Sequence, residues 1–478
     1  MFSTLTAGDY PRGIGSYLQS DPDNDRIIVR HNTDSTHDLY TIETDGTATS
    51  ILTNSDVTSD NRMDFTNIGD VIYCMNGVDD FGKLDDTTYT TPSTGVANFS
   101  PSFSVTFNSS HWASGRSDNP NVVYKSVADD YEDFSNSGSD SFTFNETITG
   151  LHATNEALFY FTKNTVSATG PSDISETSAS ITYFTRTINA QQGSVNHASI
   201  VSAGMNVYYL TPWNQIMQIR RGENIDGFET YVISDREYAG ISTLLSTLDT
   251  DQTDSFAYFL EDQNIIKRHM KTNWATFNDI VIVYDVEKNA WLVDNHQYFY
   301  GGVSFKGFNY TISMIESKVY KDEFSQDDEA TPIPFEYRTK EFYVADPTFK
   351  KLFWEERTLL DINELAELAQ AIYIDWGESD TITIDSDNYD AAAVWWSTSG
   401  GGIGAFPVGE APVGEDWDSW LDDDYREICV LRTKGNLNVK GKKIQLRFTN
   451  DTLAGKARLK NVSIRAEVLP WLANNLTT

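Results

Sequence analysis

Short apolar stretches alternate with polar turns along most of the chain, and this pattern predicts β-strands. Between residues 25 and 345, runs rich in Val, Ile, Thr, Tyr and Phe are separated by Gly, Asn, Asp and Ser. Such runs are typical of antiparallel sheets. A representative stretch, 71–91, reads VIYCMNGVDDFGKLDDTTYTT. We expect a strand, a tight hairpin turn at Asn76-Gly77, a second Asp-rich turn and a return to a strand.

The spacing of these strands favours one architecture over another. A β-sandwich is complete within about 100 residues, whereas a propeller uses about 40–45 residues for each four-stranded blade. The predicted fold class is therefore all-β, with a β-propeller body of at most about seven blades over 25–345. Residues 1–24 are assigned to a separate N-terminal segment. Residues 346–478 are assigned to a C-terminal antiparallel, sandwich-like β domain.

Two segments interrupt the strand pattern. Residues 241–250 (ISTLLSTLDT) predict one or two helical turns. Residues 360–374 place Leu365, Leu368, Ala369 and Ile372 at helical spacing, which predicts an amphipathic helix.

The C-terminal region changes composition at 391–420, which contains six glycines and four tryptophans without a clear period. Such a segment predicts a long loop or arm, and long loops are usually functional or interacting. The following region, 425–468, contains three alternating strands with apolar residues at Ile444, Leu446 and Phe448. We expect these strands to form one antiparallel sheet with a packed face and a basic face.

Charge is distributed unevenly. The net charge is −35, yet residues 425–478 carry 3 acidic and 11 basic side chains, a local charge of +8. An acidic body repels nucleic acid, while a basic end suggests docking onto an acidic neighbour. A solvated basic strand pair is the open alternative. The candidate subunit or partner interface consists of Trp395, Trp396, Trp417, Trp420, Lys440, Lys442, Lys443, Arg447, Lys456, Arg458 and Lys460.

Composition restricts the class of protein further. Cys74 and Cys429 lie in apolar strands far apart in sequence, so we expect buried, unpaired thiols and a reducing site of synthesis. No stretch reaches the about 18 apolar residues that a membrane helix needs. The first residues lack the basic and apolar regions of a signal peptide.

Motifs for reactive centres are weak or missing. DPDNDR (21–26) starts like a calcium loop, but Arg26 stands where the loop needs Gly and Asn32 where it needs Glu. The seven histidines are scattered, and no phosphate-binding loop or serine-hydrolase elbow is found. We therefore expect no metal, no cofactor and no catalytic residues, and we predict that the chain is not an enzyme.

Five collinear stretches resemble the β-propeller tail proteins of short-tailed bacteriophages, the tail-nozzle or packaged-DNA stabilisation type. They are 76–86, 111–135, 149–170, 198–214 and 279–293. One sequence motif of that family occurs where one blade passes to the next and contains, in order, an aromatic residue, Ser, Gly, Asn, Pro, Tyr, Ser, Asp and Phe. The residues that match it here are Trp112, Ser114, Gly115, Asn119, Pro120, Tyr124, Ser126, Asp133 and Phe134. A second motif of that family, which has the form strand-turn-strand, is matched by Val283, Tyr284, Asp285, Ala290 and Trp291.

The resemblance implies a homohexameric ring below the portal and adaptor rings of a virion, assembled in the host cytoplasm. Its partners would be the adaptor and the tail fibres or spikes. Packaged double-stranded DNA would pass through the ring's channel without specific binding, held back before infection and released at ejection.

Two other functions stay open at this stage. A tail-associated carbohydrate-binding or polysaccharide-degrading propeller is suggested by paired tryptophans and abundant carboxylates. A receptor-binding adhesin is the third hypothesis. None of the sequence patterns separates these from a nozzle.

Overall fold

The computed structural model divides into two compact units, residues 1–323 and 324–478. Within the first unit the structure describes residues 3–5, 11–32, 37–53, 59, 61–170, 174–177, 180–183, 185–222, 227–235, 241–295 and 298–322. Within the second it describes residues 327–328, 331–332, 335–338, 351–363, 368–374, 377–384, 394–397, 425–432, 439–441, 444–450 and 457–468.

The first unit is a seven-bladed β-propeller of four-stranded antiparallel sheets, which confirms the predicted fold class. Strand β1 (Ser3–Thr4) precedes blade 1, whose strands are β2 (Pro11–Tyr17), β3 (Arg26–Asn32), β4 (His37–Ile42) and β5 (Ala48–Thr53). Blade 2 contains β6 (Asp64–Ile68), β7 (Val71–Met75), β8 (Gly82–Asp85) and β9 (Thr88–Thr90). Blade 3 contains β10 (Phe103–Phe107), β11 (Ser110–Ser114), β12 (Val122–Lys125) and β13 (Asp140–Thr143).

Blade 4 carries an inserted hairpin between its third and fourth strands. Its strands are β14 (Ile148–Ala153), β15 (Leu158–Thr162), β16 (Val166–Thr169) and, after the hairpin β17 (Ile174–Thr177) and β18 (Ser180–Tyr183), β19 (Arg186–Asn189). Blade 5 contains β20 (Val201–Ala203), β21 (Asn206–Leu210), β22 (Ile216–Arg221) and β23 (Phe228–Val232). Blade 6 contains β24 (Phe256–Leu260), β25 (Ile265–Met270), β26 (Ile280–Asp285) and β27 (Ala290–Asn295).

Blade 7 closes the ring with strands from both ends of the unit. Its strands β28 (Phe299–Phe305), β29 (Phe308–Ser313) and β30 (Lys318–Asp322) are followed in the sheet by β1, which pairs with β30. The first strand of each blade is the inner strand. Inner strands of neighbouring blades contact one another, except that β14 of blade 4 contacts residues His197–Ser199, which precede β20 of blade 5. Closure by the N-terminal strand ties the first and last blades together through backbone hydrogen bonds.

Seven clusters of buried apolar side chains fill the spaces between neighbouring blades. Between blades 3 and 4, Trp112 is fully buried against Phe142 and Tyr160, with ring centroids 5.7 and 6.4 Å apart. Since a blade is apolar on both faces, each one needs two neighbours, and only a closed ring provides them for all seven.

The turn chemistry at 71–90 is confirmed in outline and corrected in one detail. Strands β7, β8 and β9 form with no helix between them, and Gly77 has φ +82° as expected for its position. The connection after β7 is not a two-residue hairpin, because residues 76–81 form a longer loop. The side-chain oxygen of Asn76 accepts hydrogen bonds from the amides of Val78 and Asp79 and shapes that loop. The tight turn lies instead between β8 and β9, where Asp86 has φ +51°.

The assignment of residues 1–24 to a separate segment is wrong. Strand β1 closes blade 7 and β2 is the inner strand of blade 1, so the propeller includes both described strands of this stretch. The alternate residues of β2 are buried, but two of them are glycines, which hid the apolar alternation. Gly13 approaches the backbone of Met63 in blade 2, where a larger side chain would collide.

One α-helix is found among the described residues, α1 (Ile241–Leu245), together with 3₁₀ turns at Pro22–Asn24 and His197–Ser199. Helix α1 confirms the short helix expected within 241–250. Asp21 caps the first 3₁₀ turn by accepting from the amide of Asp23, so DPDNDR is a capped turn. No described helix has the length and apolarity to cross a membrane.

The described residues of the second unit form two antiparallel sheets and a short ladder of β31 (Asp327–Asp328) with β32 (Thr331–Pro332). The strand order of one sheet is β33 (Phe335–Arg338), β40 (Ile444–Asn450), β35 (Leu368–Ile374) and β36 (Gly377–Ile384). The other is built on the long strand β34 (Lys351–Asn363), which pairs with β38 (Tyr425–Arg432), β39 (Val439–Gly441) and β41 (Ala457–Val468). Strand β37 (Val394–Ser397) pairs with β38 at its edge.

Three expectations for this region are wrong. The helix predicted over 360–374 is replaced by the end of β34 and by β35, because pairing of Ile372 with Leu446 and Asp380 overrides the local helical spacing. The boundary at residue 345 also moves, since β33 pairs with β40 and belongs to the second unit. The strands of 425–468 do not form one sheet: β38 and β41 flank β34, while β40 lies in the other sheet. The alternation in β40 is confirmed, because Ile444, Leu446 and Phe448 are all buried.

Candidate functional site

The inner strands all begin at the same end of the propeller, and polar and aromatic side chains meet there. Because successive strands of a blade run in opposite directions, the same end also carries the connections from second to third strands. We call the residues at the beginnings of the inner strands the axial cluster: Arg12, Arg62, Asp64, Phe103, His197, Asp254, Phe256 and Tyr300.

Two arginines from adjacent blades flank one tyrosine ring in this cluster. The Cζ atoms of Arg12 and Arg62 lie 5.4 and 5.5 Å from the centroid of Tyr300, and Arg62 also lies 5.6 Å from the ring of Phe256. Burial lowers the pKa of Arg62 and raises that of Tyr300. These cation–π contacts join blades 7, 1, 2 and 6.

A histidine and a carboxylate form the second half of the cluster. The His197 ring stacks on Phe103 with centroids 4.8 Å apart, and its Nδ1 accepts a hydrogen bond of 3.3 Å from the Leu151 amide. That acceptor role assigns the ring proton to Nε2, which lies 3.4 Å from Asp64 Oδ2. This contact joins blades 2 and 5.

Asn196 holds the next segment of the cluster in place. Its Nδ2 donates to the carbonyl oxygens of Gln252, Thr253 and Ser255 at 3.2, 2.7 and 2.9 Å. The segment leads into the inner strand of blade 6 and carries Asp254 and Phe256. The contacts of the axial cluster thus connect inner strands of different blades, which suits a junction between blades.

Two exposed tryptophans lie at the same end, on blades 5 and 6. Trp213 follows β21 and is 54% exposed, and Trp274 follows β25 and is 97% exposed. The asparagine beside each one is anchored to the same segment: Asn214 donates to the Asp249 carbonyl at 2.9 Å, and Asn273 to the Thr247 carbonyl at 2.7 Å. We call Trp213, Trp274 and the intervening residues 244–252 the tryptophan platform.

A small cavity lies between blades 5 and 6. It measures about 10 Å³, enough for one water molecule. Its wall includes Tyr208, Tyr284, Trp291 and Arg268. Arg268 is 1% exposed, and burial lowers its pKa to about 9. Its Nη1 donates to the Ser199 carbonyl at 2.7 Å, while its Nη2 is buried with no hydrogen-bond partner among the described residues.

The interface residues predicted from the sequence lie in the second unit. Trp395 and Trp396 are in β37, Lys440 in β39, Arg447 in β40, and Arg458 and Lys460 in β41. Arg447 is half-buried. Trp417, Trp420, Lys442, Lys443 and Lys456 lie outside the described residues. The strands place Lys440 and Arg458 on opposite edges of β34, so the basic residues are divided among strands of two sheets.

The residues of the phage resemblance are mainly framework residues. Trp112 and Phe134 are buried in different inter-blade clusters, and Gly115 has φ +81°. The first motif runs from β11 to the connection after β12, so it lies within blade 3 and not at a passage between blades. The second motif forms the β26–β27 hairpin, where Tyr284 and Trp291 pair with ring centroids 4.5 Å apart.

Sequence reasoning missed the axial cluster and the tryptophan platform. The members of the axial cluster are separated by up to hundreds of residues, and nothing in a single sequence indicates that they meet. Trp213 and Trp274 each stand beside an asparagine in a polar loop between strands, a signal that could have identified them.

No protein-family model matches the sequence, and no curated protein matches it. Among solved structures, the chain is similar to PorZ, a surface component of the type-IX secretion system of Porphyromonas gingivalis, with 9% identity and a TM-score of 0.40 over 66% of this chain. It spans only 37% of PorZ. YCF48 bound to D1 peptide is similar at 11% identity and a TM-score of 0.39, covering 66% of this chain and 93% of that one. Kluyveromyces lactis Hsv2 is similar at 7% identity and a TM-score of 0.29, covering 64% and 70%. At these identities the similarity concerns the fold.

Proposed function

We propose that the chain is a structural component of a bacteriophage tail, a nozzle or hub ring that continues the DNA channel, retains the packaged genome and opens for ejection. In this proposal six copies form the ring, and adaptor and fibre or spike proteins bind it. The proposal rests on the sequence resemblance and on the distribution of charge over the propeller.

The distribution of charge is the observation that carries the proposal. The propeller unit, residues 1–323, contains 43 acidic and 19 basic side chains, a net charge of −24. At least five of these basic residues are buried: Arg30, Arg116, Lys125, Lys267 and Arg268. Exposed carboxylates occur on several blades, for example Asp45, Asp85, Asp118 and Asp262. A wall of this kind repels phosphates, so a duplex can move past it without adhering.

The propeller framework supports the same proposal. Ring closure pairs the N-terminal strand β1 with β30 of blade 7, and sheets without long open edges resist edge-to-edge aggregation when many copies assemble. A rigid closed ring also suits a part that must withstand the pressure of a packaged genome.

The oligomeric state tests the proposal directly. We expect native mass spectrometry of the purified chain, alone or with an adaptor protein, to show a hexamer, and negative-stain images to show rings. A strict monomer at high concentration with and without tail partners would contradict the proposal.

DNA binding provides a second test. Because the propeller is acidic, residues 1–323 are expected to leave a linear duplex unshifted in a gel at about 0.15 M salt. Tight binding of the duplex would refute the repelling wall. Release of new reducing ends from a panel of host polysaccharides would favour the polysaccharide-degrading alternative instead.

A further inference from the structure

We infer that the tryptophan platform of blades 5 and 6 is a binding surface for an uncharged polysaccharide. The inference goes beyond the proposed tail function and does not depend on it. It begins from exposure, because Trp274 is 97% and Trp213 54% exposed, whereas Trp112 is fully buried. A tryptophan left in water forgoes the stabilisation that burial of its large apolar surface provides.

Both tryptophans are held on rigid loops. The loop of Trp274 is fixed where Thr272 donates through its amide and its hydroxyl to the Asp279 carboxylate, at 2.8 and 2.7 Å. The Trp213 loop is a tight turn in which Thr211 Oγ1 accepts from the amides of Trp213 and Gln215 at 3.3 and 3.1 Å. Little conformational entropy is therefore lost when a ligand stacks on these rings.

The segment between the two loops is equally constrained. Gln252 Nε2 donates to the Lys271 carbonyl at 2.7 Å, and its Oε1 accepts from the Lys271 amide at 3.0 Å. Lys271 Nζ and Asp249 Oδ2 form an ion pair at 3.3 Å. Blades 5 and 6 thus present the two indoles from one connected surface.

The composition around the indoles selects the ligand class. The exposed residues of the intervening segment and its flanks carry hydroxyls, carboxylates or an amide: Ser242, Thr243, Ser246, Thr247, Asp251, Thr253, Asn273 and Thr276. A stable protein interface needs about 800 Å² on each partner with an apolar centre, and two indoles separated by hydroxyl groups do not supply such a centre. Sugar rings, with one apolar face and a rim of hydroxyls, match an indole bordered by hydrogen-bonding groups.

The charge around the tryptophan platform narrows the class of ligand further. Asp251 within the platform and Asp254 beside it are exposed, and the whole propeller unit is acidic. Acidic sugars such as uronic or sialic acids would be repelled. The platform therefore fits neutral hexose polymers better than charged ones.

The test uses the full chain and three panels of polysaccharide: neutral hexose polymers, amino-sugar polymers and acidic polymers. We expect binding to members of the neutral panel, seen as a change in tryptophan fluorescence and measured by calorimetry. Trp274→Ala and Trp213→Ala should each weaken this binding at least tenfold. Because the Trp274 side chain is 97% exposed, Trp274→Ala should leave the midpoint of thermal unfolding unchanged.

Met205→Ala is the matched control. Met205 is 59% exposed in the β20–β21 turn, at the opposite end of blade 5 from Trp213, and its removal should leave binding unchanged. Absence of binding to the whole neutral panel, binding that survives Trp274→Ala, or preference for the acidic panel would overturn the inference. So would loss of oligomers in Trp274→Ala, because the platform would then be a contact between copies. A monomeric wild type that binds neutral glycan would support the platform while contradicting the proposed ring.

Discussion

Replacing Arg268 by methionine tests whether a buried charge weakens the contact between blades 5 and 6. The side chain is 1% exposed, and its hydrogen bond of 2.7 Å to the Ser199 carbonyl is its one hydrogen bond among the described residues. No carboxylate of the described residues forms an ion pair with it. Methionine has a similar length, no charge and an adaptable shape, so it can occupy the same space.

Two opposing terms set the size of the effect. Moving a charge out of water costs several kcal/mol even after relaxation, and the lowered pKa of Arg268, about 9, has this burial as its cause. One hydrogen bond from a charged donor stabilises the folded state by about 1.5–3 kcal/mol. The Arg268→Met variant loses both terms and leaves the buried Ser199 carbonyl without this donor, which costs about 1–3 kcal/mol. We therefore expect the free energy of unfolding to change by less than about 2 kcal/mol.

Urea unfolding at pH 7, followed by tryptophan fluorescence and circular dichroism, measures this difference. A rise of 1 kcal/mol should increase the midpoint of thermal unfolding by about 1–2 °C in a unit that spans residues 1–323. Ile282→Ala, in the wall of the same cavity, is the control for lost packing and should destabilise by about 2–5 kcal/mol. A loss of more than about 2 kcal/mol in Arg268→Met would refute the reasoning, because the guanidinium would then be compensated by a further buried polar or acidic group.

Three further predictions concern buried groups of blades 1 to 3. Burial lowers the pKa of His111 from 6.5 to about 4. Between these two pH values the unfolded state binds a proton that the folded state does not. The free energy of unfolding should therefore fall by up to about 3 kcal/mol as the pH decreases through that range. His111→Asn should flatten the pH dependence measured by urea titration, and an unchanged slope would contradict the assignment. Gly13→Ala would place a methyl group against the Met63 carbonyl and should cost about 1–3 kcal/mol; an unchanged thermal midpoint would argue against the close approach. Cys74 is 1% exposed, and burial raises the pKa of its thiol. In a Cys429→Ser background, a thiol reagent should therefore label Cys74 in urea but not in buffer. Rapid labelling of the native protein would show that blade 2 opens.

Local patterns predicted the strands of the propeller and the short helix α1, since alternation and turn residues act within a few positions. The same patterns failed where apolar residues fit both the helical period and the two-residue alternation of a strand. Residues 360–374 satisfy helical spacing, yet Gln370 and Ile372 are buried alternate residues of β35. Glycines also conceal a strand, as in β2, because they carry no side chain that could display the alternation.

The sites required information that no local pattern contains. Arg12, Arg62 and Tyr300 meet although Tyr300 follows Arg12 by 288 positions, because seven inner strands converge on one end of a closed ring. The tryptophan platform likewise depends on two loops being fixed to one segment by Asn214 and Asn273. Exposure is a property of the folded surface and cannot be read from residue type.

By itself, the sequence determined the β character of the chain, the rhythm of its blades, the negative charge and the apolar faces that blades bury against each other. All of these follow from residue type and short-range spacing. Only the tertiary structure decided that Ser3–Thr4 pairs with Lys318–Val319 to close blade 7, and that the terminal basic strands are divided between two sheets. The physical reason is that a strand can pair with any neighbour of suitable alternation, and the choice among neighbours depends on long-range packing.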